Sequence, residues 1–206
     1  MERDKDRFGD NSLFTQLFVS RSKRLCKYVS GVVGSNDPTL FKTFSELVND
    51  LDLTLQNQTT LFLPSQYVGF SRFRRDFYDE LQHKNNVGAL VVWKTIRTFL
   101  KGSIEAYQSP GRVLSKECFI NGSLGKNRCR IPADLRPFIY NVFLKYTHFI
   151  NRNKLWDDCD RIIMLLAKIE ESMKSNSIAF EKIRRSRIYV DVRDVLSHFT
   201  RFMFLS

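Results

Sequence analysis

The sequence has few residues of the kinds that build metal sites or disulfide frameworks. Its 206 residues include three histidines and four cysteines. The cysteines are widely spaced, at Cys26, Cys118, Cys129 and Cys159. No C-x-x-C pair and no H-x-x-x-H pair occurs, which excludes the common zinc motifs. Residues 1–10 are charged and contain no apolar signal core, so we expect an intracellular protein with reduced cysteines, its compartment (nucleus or cytoplasm) left open.

Long apolar runs and a phosphate-binding loop are also missing. No stretch reaches 18 apolar residues, so no membrane-spanning helix is predicted and no membrane partner is expected. The segment GSLGK at residues 122–126 comes nearest to a P-loop, but its two glycines are three positions apart. Asn127 also stands where the motif requires Ser or Thr. The sequence therefore lacks the loop whose backbone amides surround nucleotide phosphates.

Positive charge is the property that the sequence has in excess. Lys and Arg number 33 against 22 Asp and Glu, which gives a net charge of +11 and a pI of about 9.7. This balance favours an anionic partner, and nucleic acid more than a membrane surface. The basic residues cluster at residues 21–24, 72–75, 126–130 and 182–187.

The first predicted element is a buried strand followed by a basic turn and a helix. Residues 13–19 (LFTQLFV) are apolar, and Ser20 or Ser22 is suited to cap the helix that follows. Gly34 is suited to end that helix. Arg21, Lys23 and Arg24 make the turn positive. Two interpretations remain: the turn contacts a ligand, or it is an ordinary solvated helix start. The apolar spacing predicts an inward face of Leu25, Tyr28, Val29, Val32 and Val33.

The middle of the sequence is predicted to be mainly helical. Helices are expected from Pro38, from Ser71, over residues 87–101 and from Pro132, where Pro137 is tolerable only in the first turn. Arginines interleaved with aromatics at residues 72–77 suit nucleic-acid contact, although an amphipathic helix with a solvated face is the commoner meaning. Three acids at residues 157–160 suggest either a metal site or a helix N-terminus, and the helix N-terminus is favoured.

A second apolar strand lies near the end of the chain and runs into an acid. Residues 188–190 are Ile, Tyr and Val, and Asp191 follows them. Open α/β sheets bind ligands at the carboxyl ends of their strands, so Asp191 is a candidate ligand of Mg²⁺ beside a nucleotide phosphate. The alternative is a buried strand that stops at a turn. The predicted fold class is α/β, mostly helical, in which a long helical region separates two strands of one parallel sheet.

Three separated segments resemble superfamily 1, UvrD-like helicases, in the large eukaryotic branch that includes TPR- and ankyrin-repeat-containing proteins. Residues 17–26 (LFVSRSKRLC) resemble motif Ia, and residues 155–161 (LWDDCDR) resemble an L-W-D-x-x-D-R segment of that branch. Residues 188–191 (IYVD) resemble the start of motif II. The three occur in the family's order between about residues 13 and 194.

The resemblance implies a partial RecA-like (P-loop NTPase) lobe with a large α-helical insertion, and ATP and Mg²⁺ as the cofactors of the parent family. It also implies that Asp191 binds Mg²⁺-ATP, and that Ser20, Arg21 and Ser22 contact single-stranded DNA or RNA. The predicted division is a disordered segment at 1–12, the lobe at 13–35, the insertion at 36–180, the returning strand at 181–195 and an atypical tail at 196–206.

The sequence also departs from the family. Val192 stands where motif II has its glutamate, and neither the P-loop nor a second lobe is present. The resemblance therefore predicts a fragment of a helicase ATP-binding region, without ATPase or unwinding activity and without bound cofactor on its own. Its partners would include the remaining helicase lobes of a longer protein. Two rival hypotheses remain: a non-catalytic basic nucleic-acid-binding module, and a helical interaction module with no nucleic-acid role.

Overall fold

The computed structural model describes residues 16–35, 37, 40–55, 62–81, 87–121, 129, 131–175, 178, 185 and 187–191. The chain divides into two compact units, one made of residues 1–58 and 165–206 and the other of residues 59–164. The predictions for residues 1–12, for residues 122–128 and for the tail at 196–206 lie outside the described residues. So do Val192 and most of the basic cluster at 182–187.

A three-stranded parallel sheet forms the centre of the first unit. Its strands are β1 (Gln16–Ser20), β2 (Phe41–Thr43) and β3 (Arg187–Val190), in the order β2-β1-β3. Phe18 is aligned with Phe41 on one side and with Tyr189 on the other. Leu17 and Val19 of β1 are almost fully buried, as expected for the central strand of a parallel sheet. The mostly helical α/β class is therefore confirmed, and both strands predicted from apolar runs are present.

Two helices accompany this sheet. Helix α1 (Lys23–Val33) begins where the Ser22 side chain accepts the Leu25 N–H, and it ends at Gly34 with φ of 70°. Both ends agree with the sequence prediction. Helix α2 (Phe44–Thr54) begins at a capping box, in which Thr43 and Glu46 satisfy each other's backbone N–H groups.

Pro38 lies outside the described residues, but the helix predicted to run from it is wrong at residues 41–43. Residues 41–43 instead form β2, because Phe41 extends the parallel sheet beside Phe18, and the Thr43 capping box sets the first helical turn afterwards. The predicted inward face of α1 also needs correction. Tyr28 and Val32 are each 69% exposed, whereas Cys26 is buried.

The second unit is helical. It contains α3 (Phe70–Phe73), α4 (Ala89–Thr95), α5 (Ile104–Gln108), α6 (Lys116–Ile120), α7 (Arg136–Arg152) and the first part of α8 (Asp158–Lys174), with 3₁₀ turns at Pro64–Gln66 and Pro110–Arg112. Helices α3 and α4 each continue as a wider π-helical turn, over Arg74–Tyr78 and Ile96–Leu100. None of the described helices is long and apolar enough to cross a membrane.

Aromatic side chains fill the core of this unit. Phe73 and Tyr146 are completely buried, and their rings meet edge to face with centroids 5.1 Å apart. The long helix begins at Arg136 and not at Pro132, so Pro137 falls in its first turn as the prediction required. The apolar spacing of this helix predicts that Leu135, Ile139, Phe143, Tyr146 and Ile150 face inward. The last four are buried, and Leu135 is half-buried.

Candidate functional site

Ser20 and Asp191 meet at the carboxyl edge of the parallel sheet. Ser20 Oγ donates a hydrogen bond to Asp191 Oδ2 at 3.4 Å and accepts the Ser22 N–H at 3.0 Å. Asp191 N–H donates to Val19 O at 3.0 Å, which carries the pairing of β1 and β3 to the end of both strands. Ser20 is completely buried, so its hydroxyl acts inside the fold as a link between the strand end and the turn.

Arg21 and Ser22 lie beside this link but on the surface. Both are exposed, as are Lys23, Arg24 and Lys27 in the first two turns of α1. Helix α1 contains no acidic residue, and an ion pair in its first turn joins Lys23 Nζ to Glu46 Oε1 of α2 at 3.7 Å. The structure therefore leaves Arg21, Ser22 and the α1 cations exposed in the segment that follows the Ser20–Asp191 hydrogen bond. We call residues 21–27 the basic turn.

The basic cluster at residues 72–75 has a different character, because acids neutralise it. Arg72 and Arg75 both pair with Asp76, and Arg74 pairs with Asp79. Arg72 also donates to the carbonyl of Ser65 at 2.7 Å. Phe73 and Phe77 of the same helix are buried. The structure favours the commoner of the two meanings, an amphipathic helix with a solvated, internally paired face.

The acidic segment at residues 157–160 is a helix N-terminus joined to a buried ion network. Asp157 Oδ1 accepts the N–H groups of Cys159 and Asp160, at 2.9 and 3.2 Å, and thereby caps α8. Its other oxygen accepts hydrogen bonds from Lys101 Nζ at 2.8 Å and Tyr146 OH at 3.1 Å. Lys101 Nζ also reaches Asp160 Oδ1 at 2.6 Å. The favoured structural interpretation of these acids is confirmed.

Burial and neighbouring charges both shift pKa values in this network. Burial raises the pKa of Asp160, and the neighbouring Asp157 carboxylate raises it further. Burial alone would lower the pKa of Lys101, but the two carboxylates outweigh it and raise that pKa. The pKa of Tyr146 is also raised, by burial first and by Asp157 second. Burial raises the pKa of the Cys159 thiol to about 12, so this cysteine is a poor nucleophile.

Sequence reasoning did not find Lys101 or Tyr146 as partners of Asp157. The helical spacing predicts Tyr146 on an inward face, but it indicates Lys101 only as the last residue of an apolar helix. Lys101 lies 56 residues before Asp157, and no local pattern links positions so far apart. The available signal was the run of three acids itself, since a buried acid requires a hydrogen-bonded cation or donor nearby.

The described residues do not fit a Mg²⁺-nucleotide site at Asp191. One of its carboxylate oxygens accepts the Ser20 hydroxyl, and the described part of the chain contains no group of three or more His, Cys, Asp or Glu side chains placed to hold a metal ion. A nucleotide site further needs a loop of backbone amides around the phosphates, which the sequence lacks. Binding of Mg²⁺-ATP by Asp191 stays an untested prediction.

Comparison with known proteins gives a short, partial likeness. Over 98 residues the chain is 30% identical to TPR and ankyrin repeat-containing protein 1 of Homo sapiens. The aligned stretch is 47% of this chain but only 3% of that relative. No family model matches the chain, and no solved structure matches it.

The helicase assignment is wrong on these findings. The relative is described by its TPR and ankyrin repeats, which points to repeat proteins and not to a helicase. The predictions that depend on it are therefore also wrong: ATP binding, a hydrolase, a P-loop NTPase and a helicase fragment. The partial RecA-like lobe gains no support, since no solved structure matches.

Packing and capping explain the three segments that carried the resemblance. Residues 17–26 form the central buried strand and the serine-capped start of α1. Residues 155–161 cap α8 and enter the buried network. Residues 188–191 pair in parallel with β1. Strand packing, capping and the buried network account for the buried and capping residues of these segments, and short matches of this kind do not specify an activity.

Proposed function

We propose that this chain binds single-stranded nucleic acid, with the basic turn contacting the phosphate backbone. The observation that carries the proposal is the concentration of four exposed cations, Arg21, Lys23, Arg24 and Lys27, within seven residues. Helix α1 itself contains no acidic residue, and Lys23 pairs with Glu46 of α2 at 3.7 Å. Lys and Arg grouped on one surface give affinity for phosphates that depends on salt and is largely independent of base sequence.

The position of the basic turn strengthens this interpretation. The positive end of the α1 dipole lies at Lys23 and adds to the field of the side chains. The Ser22 cap and the Ser20 hydroxyl hold the backbone of the turn in place. A fixed backbone lowers the entropy that is lost when the cations engage phosphates. The arginines at residues 72–75 are less suited to bind phosphates, because they already pair with Asp76 and Asp79 of the same segment.

Fluorescence anisotropy with a labelled single strand of about 16 nucleotides tests the proposal. The full chain is titrated at about 50 mM and about 200 mM salt, because phosphate binding weakens steeply over that range. The test variant is Arg24→Gln with Lys27→Gln. The matched control is Arg74→Gln with Arg75→Gln, which removes the same charge from the neutralised cluster.

We expect the α1 variant to bind several-fold more weakly and its salt slope to fall by about 0.7 for each lost phosphate contact. The control variant should stay close to the wild type. If both variants lost affinity equally, binding would depend only on the net charge of the chain, and the assignment to the basic turn would be refuted. Absence of binding at about 50 mM salt would overturn the proposal.

A protein-binding role is a second candidate, and one observation favours it. Val32 is 69% exposed on the same helix, and the relative described above is named for its TPR and ankyrin repeats. Contiguous exposed apolar surface marks protein interfaces, and under this alternative Val32 and the neighbouring exposed Tyr28 would form part of one. Under this alternative, nucleic acid would not bind, and Val32→Ser would weaken capture of a protein partner while Arg24→Gln with Lys27→Gln would have the smaller effect.

A further inference from the structure

Helix α1 exposes an aromatic ring directly beside its cations. Arg24, Lys27, Tyr28, Gly31 and Val32 are all exposed, and their spacing of i, i+3, i+4, i+7 and i+8 puts them on one face of the helix. The opposite face carries the buried Cys26. With 69% of its surface exposed, Tyr28 contributes little to the core.

Gly31 leaves open space on the same face. It lies inside α1, where glycine weakens a helix relative to alanine. Its backbone has no positive φ, and a Cβ built on it would meet nothing within 4 Å. Neither backbone conformation nor packing within the described structure therefore requires a glycine here. Because glycine has no side chain, the helix surface is flat at Gly31, about one turn after Tyr28.

We infer that Tyr28 stacks on a base of the bound strand, with Gly31 providing the space in which the base lies. This inference rests on the proposed function, since Arg24 and Lys27 would hold the phosphates that flank the stacked base. Charge complementarity and an exposed ring together fit a single strand, which offers both an anionic backbone and free base faces. A duplex offers the same phosphates, but its bases are already stacked on one another.

The inference makes Tyr28 a specificity-determining residue and not a general source of affinity. Stacking should add to single-strand binding and leave binding to a duplex unchanged. It should also be absent with a strand whose bases have been removed, because the abasic backbone has phosphates but no π-face. An aromatic ring is needed, so phenylalanine should replace tyrosine and leucine should not.

The test compares three probes of equal length with the full chain: a mixed-sequence single strand, its duplex and an abasic strand. The variants are Tyr28→Leu and Tyr28→Phe, with Leu53→Ala as the control, because Leu53 is also strongly exposed but lies on α2. Thermal unfolding followed by circular dichroism checks that every variant folds.

We expect Tyr28→Leu to weaken single-strand binding by about 5- to 150-fold, which corresponds to the usual cost of losing one stacked base. Tyr28→Phe and Leu53→Ala should bind like the wild type. Binding of Tyr28→Leu to the duplex and the abasic strand should not change, and its salt slope on the single strand should not change either.

Two different results separate failure of the inference from failure of the proposed function. If the wild type binds the abasic strand as tightly as the natural one and Tyr28→Leu changes nothing, stacking is refuted and phosphate binding stands. If the wild type binds none of the three probes at about 50 mM salt, the proposed function and the inference both fail.

Discussion

Ser20 Oγ donates a hydrogen bond to Asp191 Oδ2 at 3.4 Å, although the two residues lie 171 positions apart in the chain. The same hydroxyl accepts the N–H of Ser22, whose own side chain accepts the N–H of Leu25. These contacts run without a gap from the end of β3 to the first turn of α1. The role they indicate for Asp191 is to orient the Ser20 hydroxyl and so fix the backbone of the basic turn.

Replacement of Asp191 tests this positioning role. Asp191→Ala removes the acceptor of the Ser20 hydroxyl, and we expect the free energy of unfolding to fall by about 1 kcal/mol. Asp191→Asn keeps an acceptor oxygen and should cost less. Urea unfolding of the full chain measures both values. The positioning role is refuted if the alanine variant is as stable as the wild type and binds single strands with unchanged affinity.

Local patterns predicted the parts of the fold that local chemistry determines. The apolar runs at β1 and β3, the Ser22 cap and the Gly34 stop are all encoded within a few residues. The burial of α1 is different. The apolar residues of this helix extend around more than one face. Which of those faces is buried depends on contacts with distant parts of the chain, which cannot be seen in the local sequence. In the structure Tyr28 and Val32 remain exposed.

The charged side chains show the same division between local and distant causes. The acids at residues 157–160 could be assigned to a helix start because the dipole and cap are local. Lys101 could not be recognised as their buried partner. Arg136 is a similar case: it is buried and donates to the carbonyls of Phe119 and Cys129, partners that come together only in the folded chain.

Loss of the Lys101 ammonium should be strongly destabilising. Lys101→Met keeps the length of the side chain but leaves the buried Asp157 and the half-buried Asp160 without their cation. We expect the free energy of unfolding to fall by about 3–5 kcal/mol, the usual consequence of breaking a buried ion pair. Lys116→Met is the control; Lys116 is exposed on α6 and should change stability by less than about 0.5 kcal/mol. Equal stability of the two variants in urea would contradict this view of the network.

The Tyr146 hydroxyl should contribute to the same network. Tyr146→Phe removes only the donor that reaches Asp157 Oδ2 at 3.1 Å and keeps the ring that packs on Phe73. We expect a loss of about 1–3 kcal/mol, because the acceptor is a buried carboxylate. In a double-mutant cycle the losses from Tyr146→Phe and Lys101→Met should not add, since both side chains serve Asp157. Strict additivity would show that they act independently.

The capping box of α2 makes part of the stability depend on pH. The Thr43 backbone and side chain both donate to the Glu46 carboxylate and lower the pKa of Glu46 below its ordinary value of 4.5. A lowered acid pKa stabilises the fold above the unfolded value, and this stabilisation is lost as the pH falls through the folded value. The stability difference between wild type and Glu46→Gln should therefore shrink below pH 4.5. Urea unfolding midpoints of both proteins, measured above and below pH 4.5, test this. A stability difference that did not change with pH would contradict the prediction.

Gly31→Ala should separate stability from binding. The added methyl group enters open space within α1, so helix propensity alone predicts a gain of about 1 kcal/mol in the free energy of unfolding. The same methyl group narrows the space beside Tyr28, and we expect single-strand affinity to fall while abasic-strand affinity is unchanged. Thermal unfolding and anisotropy on one preparation measure both effects. A variant that is more stable and binds the single strand as tightly as the wild type would show that the base does not lie against Gly31.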